Sequence, residues 1–244
     1  MQSNEQSSST EPTTGKELES KTTMSQTGTS VSLVHHTIDG DGLVARMARV
    51  SNPSNQDNYE TAPKLINYLI KHKHWSPLEM VSMCVSIDTT RSIAAQILRH
   101  RSFSFQEYSQ RYANVNALPA AQPPHLRGQD EKNRQNSIDN LNDRLGAAKL
   151  SGYYRRISEL FENADHLYQE MVSDGIAKEC ARDVLPLATR TRLYMHGTVR
   201  SWIHYCDLRM ANGTQMEHML IARECYSVLK QCFPMISQAY ELSV

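Results

Sequence analysis

The chain has 244 residues, with 26 Lys and Arg against 26 Asp and Glu and a formal net charge of +0 at pH 7. That balance argues against a basic face for nucleic acid or a membrane surface, so any anion site has to be local. No apolar run approaches the roughly 18–20 residues of a membrane span. There is no apolar signal-peptide core either, and the five cysteines, with no C-x-x-C spacing, argue against a disulfide framework or a zinc site. The expectation is a reduced, intracellular, cytoplasmic protein.

Residues 1–30 are about half Ser and Thr, and only Met1, Leu18 and Met24 among them are large and apolar. Such a segment cannot bury enough surface to offset its ordering entropy, which predicts a disordered tail followed by one domain over 31–244. Residues 31–38, VSLVHHTI, read as a strand, and 39–50 as a turn running into a helix. Residues 58–74 carry Leu65, Leu69 and Ile70 at helical spacing. WSPLEM (75–80) reads as a short helix with Ser76 as N-cap, Pro77 at the first helical position, Glu79 returning a capping-box bond, and Trp75 and Met80 as a hydrophobic staple.

In 81–87, Val81, Met83, Val85 and Ile87 alternate with Ser82, Cys84 and Ser86, a strand pattern. From Thr90 through Arg101 the sequence reads as a helix burying Ile93, Ala94, Ile97 and Leu98, with Gln96, Arg99 and His100 on one face. Residues 114–150 are polar and irregular, a long loop or insertion of the kind a domain usually keeps for function. Ile157, Leu160, Phe161, Ala164, Leu167, Tyr168 and Met171 then form one helical stripe, stopped by Asp174-Gly175. A short helix over 177–186 ends at Pro186, and 192–213 is helical in its second half. The last helix opens on a second capping box, Thr214 and Glu217, and closes at Pro234. The pattern as a whole is α+β and helix-rich, with a modest sheet.

The stretch RHRSFSFQEYSQRYA (99–113) gathers three guanidiniums, an imidazole and several hydrogen-bonding side chains in a neutral chain. Arg99-His100-Arg101 alone could be a solvated helix end, where cations favour the dipole. The spacing says more: R-H-R, seven residues, then Ser109 resembles the signature of the flavin-dependent thymidylate synthases, the ThyX family. HWSPLEM, QILRHRSFSFQEYSQRY, ARDVLPLATRTRL and TVRSWIHYCDLRMANGTQMEH resemble further blocks of that family, in the right order over 31–244.

The resemblance implies a helix-rich ThyX-type fold with a central mixed or antiparallel sheet flanked by helices. It implies a homotetramer with active sites shared between subunits, binding FAD and making dTMP from dUMP with NADPH and methylenetetrahydrofolate as co-substrates. On the dUMP side it implies Gln96, Arg99, Glu107, Tyr108, Ser109, Gln110, Arg111, Arg182 and Arg209, and on the FAD side Ser76, Arg99, His100, Arg101, Glu107, Thr198, Arg200 and His204. Arg209 matches the family residue that acts on the pyrimidine, favouring its N3-deprotonated form and so an electron-rich C5. Arg111 and Arg182 suit a phosphate, because guanidinium forks match its oxygens. A cation beside reduced flavin would stabilise its anionic form.

Several residues keep an ordinary reading beside the functional one. Glu79 reads equally as a helix cap. Cys206 sits inside a predicted helix as a packed thiol. Ser109 has no base beside it, so it is assigned to binding and not to nucleophilic attack. His72 and His74 lack a third ligand at a recognisable spacing, so no metal is expected. Thr198, Met80 and Gly213 depart from residues common in the family, which bears on the flavin contacts. A module that holds a nucleotide or RNA without chemistry is the competing reading; the zero net charge and the lack of an aromatic stacking strand weigh against it. A family fold that has lost turnover is a third, against which stand the intact Arg99, Arg101, Ser109, Arg182 and Arg209.

Overall fold

The computed structural model describes residues 28–243, so the reading of residues 1–27 as a disordered tail lies outside the described residues. Ser30, placed at the end of that tail by composition, is already buried as the first residue of a strand. In chain order the elements are β1 (Ser30–His36), α1 (Gly40–Ala48), α2 (Ala62–Lys71), β2 (Ser82–Thr90), α3 (Arg91–Ile97) and β3 (Ser104–Glu107). A two-stranded hairpin, β4 (Gly128–Gln129) and β5 (Ser137–Ile138), is followed by α4 (Leu141–Leu145), α5 (Ala147–Ser173) and α6 (Lys178–Ala181). The chain finishes with β6 (Arg190–Thr198), α7 (Val199–Met210), α8 (Met216–Cys232) and α9 (Pro234–Glu241).

The main sheet has the order β1-β2-β6-β3 and is antiparallel throughout, so of the two sheet types expected only the antiparallel one is present. Period-two alternation sets its two faces. Met83, Val85 and Ile87 of β2 lie opposite Gly197, Met195 and Leu193 of β6, and these apolar side chains are fully buried. Helices α3, α7 and α8 pack on that side, and Trp202 of α7 donates its indole N–H to the Met83 carbonyl at 2.9 Å. The other face carries Ser86, Tyr194 and Gln106, with Arg192 and Asp88 ion-paired across β2 and β6 at 2.8 Å. Among the described residues no helix is long and apolar enough to cross a membrane.

Several sequence expectations are corrected. The 58–74 helix is confined to α2, where Pro63 suits its first turn. The helix expected through Arg101 stops at Ile97; Leu98 is 36% exposed instead of buried, and Arg99, His100 and Arg101 belong to the turn that follows. The segment Ser76–Glu79 is a 3-10 turn whose start receives no side-chain cap, and Met80 is exposed, so neither the capping box nor the staple forms. The second capping box fails as well, since α8 starts without a side-chain cap. The helix expected to close at Pro234 does end just before it, at Cys232, and Pro234 also opens α9, whose amides at Met235 and Ile236 are taken up by the buried Asp41 carboxylate at 2.9 and 3.1 Å. The long irregular segment contains the β4–β5 hairpin, α4 and the first turn of α5.

The α5 stripe is only partly covered. Tyr168 is fully buried with Met171 and Val172 against Val115, Ala181, Val184 and Leu185, whereas Leu160 and Leu167 are exposed. Strands β3 and β6 were not foreseen.

Candidate active site

The residues matched to the nucleotide side fall into two groups at opposite ends of α3. One gathers at its start. Arg91, the first residue of α3, ion-pairs with Glu107 at 3.0 Å, and Thr191 donates its hydroxyl to the same Glu107 oxygen at 3.0 Å. Beyond β3 the chain turns, with the amides of Tyr112 and Ala113 bonded to the Ser109 carbonyl at 3.1 and 2.9 Å. That turn puts Gln110 inside, 4% exposed, with its side-chain nitrogen lacking a hydrogen-bond partner among the described residues. Arg91, Gln110 and Arg182 line one cavity of about 230 Å³, and Ser109 and Arg111 line another of about 420 Å³. Arg111 is ion-paired with Glu179 at 2.9 Å but remains exposed, and Tyr108 donates its hydroxyl to the Asn114 carbonyl at 2.6 Å.

Two guanidiniums and an orphaned buried amide fit a doubly charged phosphate. Arg91 was missed in the sequence. A signal was there: a cation at the first position of a helix sits against the positive end of the dipole and needs a partner to hold it.

The second group lies at the far end of α3. The Arg209 side chain, in the last turn of α7, donates Nε–H to His100 Nε2 at 2.8 Å and makes no ion pair among the described residues. His100 stands edge-on to Tyr205, with ring centroids 4.9 Å apart, and near the fully buried His218. Gln96 Oε1 accepts from His218 Nδ1 at 3.2 Å, and its Nε2 donates to Gln215 Oε1 at 2.7 Å. His218 was also missed, although it stands on the same helical stripe as Ile221, Ala222, Cys225 and Leu229. A His in such a stripe has to be hydrogen-bonded inside the core. Arg99 and Arg101 are exposed, and neither guanidinium makes an ion pair among the described residues.

On the flavin side, the Arg200 guanidinium is ion-paired with Glu79, which explains why Glu79 is not a cap. His204 follows one turn later on the same exposed face of α7. Thr198 is taken up structurally: its hydroxyl accepts the Ser201 amide at 3.3 Å as the N-cap of α7. Ser76 is exposed in its turn. Arg99, Arg101, Arg200 and His204 are all exposed, and of the three guanidiniums only that of Arg200 is ion-paired among the described residues. The Cys206 thiol is fully buried and pushed up by burial, as a packed thiol should be. Among the described residues no group of three or more His, Cys, Asp or Glu could hold a metal; His72 and His74 instead stack with Tyr68. A cavity of about 820 Å³ is lined in part by the 119–125 segment and by none of the family-matched residues.

Both imidazoles, His218 fully buried and His100 half-buried, are held neutral. Burial, then the charge of Arg209, then the nearby His204 push His100 down to about 4. Burial, then Arg209 and His100, push His218 down to about 3. Both would titrate near 6.5 in the unfolded chain, which therefore binds more protons than the folded one below that pH. Their contribution to stability is complete above about pH 6.5 and is lost as the pH falls toward 4 and 3. The melting temperature should drop across that window, and less steeply in a His218→Asn variant; an identical pH dependence in the two proteins would contradict the assignment.

The chain is similar to known proteins over most of its length. A family profile described as thymidylate synthase complementing protein matches residues 32–235. A protein of Paramecium bursaria Chlorella virus 1 named probable flavin-dependent thymidylate synthase is 48% identical over 200 residues, covering 82% of this chain and 89% of that one. A flavin-dependent thymidylate synthase of Synechocystis sp. is 46% identical over 209 residues, 84% and 93% of the two chains. Among solved structures, a UMP/dUMP methylase, PolB from Streptomyces cacaoi bound with 5-Br dUMP, matches with a TM-score of 0.73 at 26% identity, covering 89% of this chain and 96% of that one.

Proposed function

The chain belongs to the thymidylate synthase complementing protein family, the flavin-dependent thymidylate synthases, and from that premise we propose that it converts dUMP to dTMP by reductive methylation. Methylenetetrahydrofolate would be the carbon donor, and bound FAD, reduced by NADPH, would supply the hydride. The observation that carries the reading is the state of Arg209: a guanidinium with no carboxylate partner among the described residues, fixed by a neutral imidazole at 2.8 Å. Its charge is left for a ligand, and beside the N3 edge of uracil it would favour loss of the N3 proton and so make C5 electron-rich.

Around it each residue has a task. Arg91 and Arg182 with Gln110, and Arg111 beside Ser109, form the phosphate end of the dUMP site, and Tyr108 and Glu107 hold the intervening turn. Gln96 and Arg99 meet the pyrimidine with Arg209. His100, Arg101, Ser76, Thr198, Arg200 and His204 belong to the flavin side, with Thr198 acting through the start of α7. The phosphate group and the Arg209 group lie at opposite ends of α3, which supports an active site completed by a second subunit, within a homotetramer. No protein nucleophile is needed, in keeping with a Ser109 that has no side-chain hydrogen bond among the described residues.

Release of tritium from C5-labelled dUMP tests the reaction. Release that requires both NADPH and methylenetetrahydrofolate is the expected result. Release independent of the folate, or none with FAD and all substrates present, would contradict it.

A further inference from the structure

A file of side chains runs from the core to the insertion, and the chemistry of one end fixes the direction of every hydrogen bond in it. Glu217 is held by Arg127 in a two-pronged ion pair, 2.8 and 3.0 Å, with both side chains mostly buried. A carboxylate so paired can only accept. Gln215, 3.0 Å from Glu217 Oε2, must therefore present its Nε2–H to it. That leaves Gln215 Oε1 as the acceptor facing Gln96 at 2.7 Å, so Gln96 donates through Nε2. Gln96 Oε1 then accepts at 3.2 Å from His218 Nδ1–H. With its proton on Nδ1, neutral His218 accepts at Nε2 from the Tyr205 hydroxyl at 3.2 Å. Every link is satisfied in only this direction.

The ends of the Gln96 amide thus face different ways. Its oxygen points inward to His218, which is fully buried, and its NH2 points toward the exposed Gln215. One N–H on that nitrogen has no partner among the described residues. We propose that His218 is a positioning residue that locks the Gln96 amide with its N–H outward, so that the site selects a pyrimidine presenting a carbonyl oxygen over one presenting an amino group. This rests on the assignment of Gln96 to the pyrimidine side. For a nucleotide of otherwise equal shape, the locked N–H donates to the 4-oxo group of dUMP and opposes the 4-amino group of dCMP, donor against donor. An amide free to turn over would take either.

The test has two arms. In the full-length FAD-loaded protein, the ring-nitrogen NMR shifts of His218 report the tautomer directly. A neutral ring protonated at Nδ1 is expected; a proton on Nε2 overturns the proposal. Competition binding then compares dUMP with dCMP. The wild type should prefer dUMP by roughly 10- to 100-fold. His218→Leu, which removes the Nδ1 donor, should lose most of that preference, and His218→Asn, whose side-chain N–H takes the place of Nδ1–H, should keep it. A folded Leu variant with undiminished preference overturns the proposal. If the Leu variant does not fold, the tautomer of the wild type decides. A wild type that binds neither nucleotide contradicts the proposed function, and the tautomer still decides the orientation of the amide.

Discussion

Replacing Arg209 by alanine is expected to lower turnover about 100- to 1,000-fold, the usual loss when a single pre-aimed electrostatic group is removed from a reacting site, and to leave the fold intact. The guanidinium has no ion pair to lose among the described residues, and its hydrogen bond is to His100. His100 is only half-buried, so water can replace the lost donor. Arg209→Lys should not rescue. An ammonium is a point charge without the planar fork, so it cannot donate to His100 and also lie along a pyrimidine edge. The melting temperature and single-turnover rate of both variants check this. An alanine variant that turns over at the wild-type rate would remove Arg209 from the chemistry.

The second large effect is expected at Gly197. A methyl group there would lie 2.5 and 2.6 Å from two carbons of the Phe103 ring, closer than such atoms approach. Phe103 cannot simply step aside. It packs edge-on against Trp202, 4.8 Å between centroids, and against Tyr205 at 5.9 Å, in the core that backs His100. Its amide also bonds the His100 carbonyl at 3.2 Å, so moving the ring moves the Arg99–Arg101 turn. Gly197→Ala should therefore cost about 1–3 kcal/mol of stability, as overpacking typically does, and weaken dUMP binding as well. In a Phe103→Leu background the same alanine should cost much less, because the clashing ring is gone. Urea unfolding of the two single variants and the double one checks this, and additive losses would contradict the account.

Much of the fold was legible where local pattern and burial agree. Strand β2 alternates cleanly, and α5 stops at Asp174 as its Asp-Gly signal foretold. Strand β6 has the same alternation, with Thr191, Leu193, Met195 and Gly197 inward and Arg192, Tyr194 and His196 outward. Gly197 is a gap in the apolar row, and the gap is where the Phe103 ring fits. The two failed capping boxes share another cause. Glu79 and Glu217 stand at the right spacing, but each is drawn away by an arginine 121 or 90 residues distant in the chain, Arg200 and Arg127. A charge-assisted pair is stronger than a bond to one helix amide, and no local pattern can announce it.

The site divides in the same way. The residues carried by the R-H-R motif and its neighbours were readable as a family pattern. Those that hold them in place, Arg91, Arg127, Tyr205 and His218, were not, because their partners come from other elements. Gln110 shows the limit well: beside Ser109 it reads as one more polar residue of a loop, and only the turn back over β6 buries it with Arg91 and Arg182.

The central claim is that scattered guanidiniums converge on a flavin and a uracil nucleotide. It is tested most directly by the visible absorbance of the purified protein. A yellow protein whose flavin band is bleached by NADPH without oxygen, and whose melting temperature rises further with dUMP, is the predicted result. A colourless protein that takes up no FAD when it is supplied, and whose melting temperature neither FAD nor dUMP shifts, would contradict it.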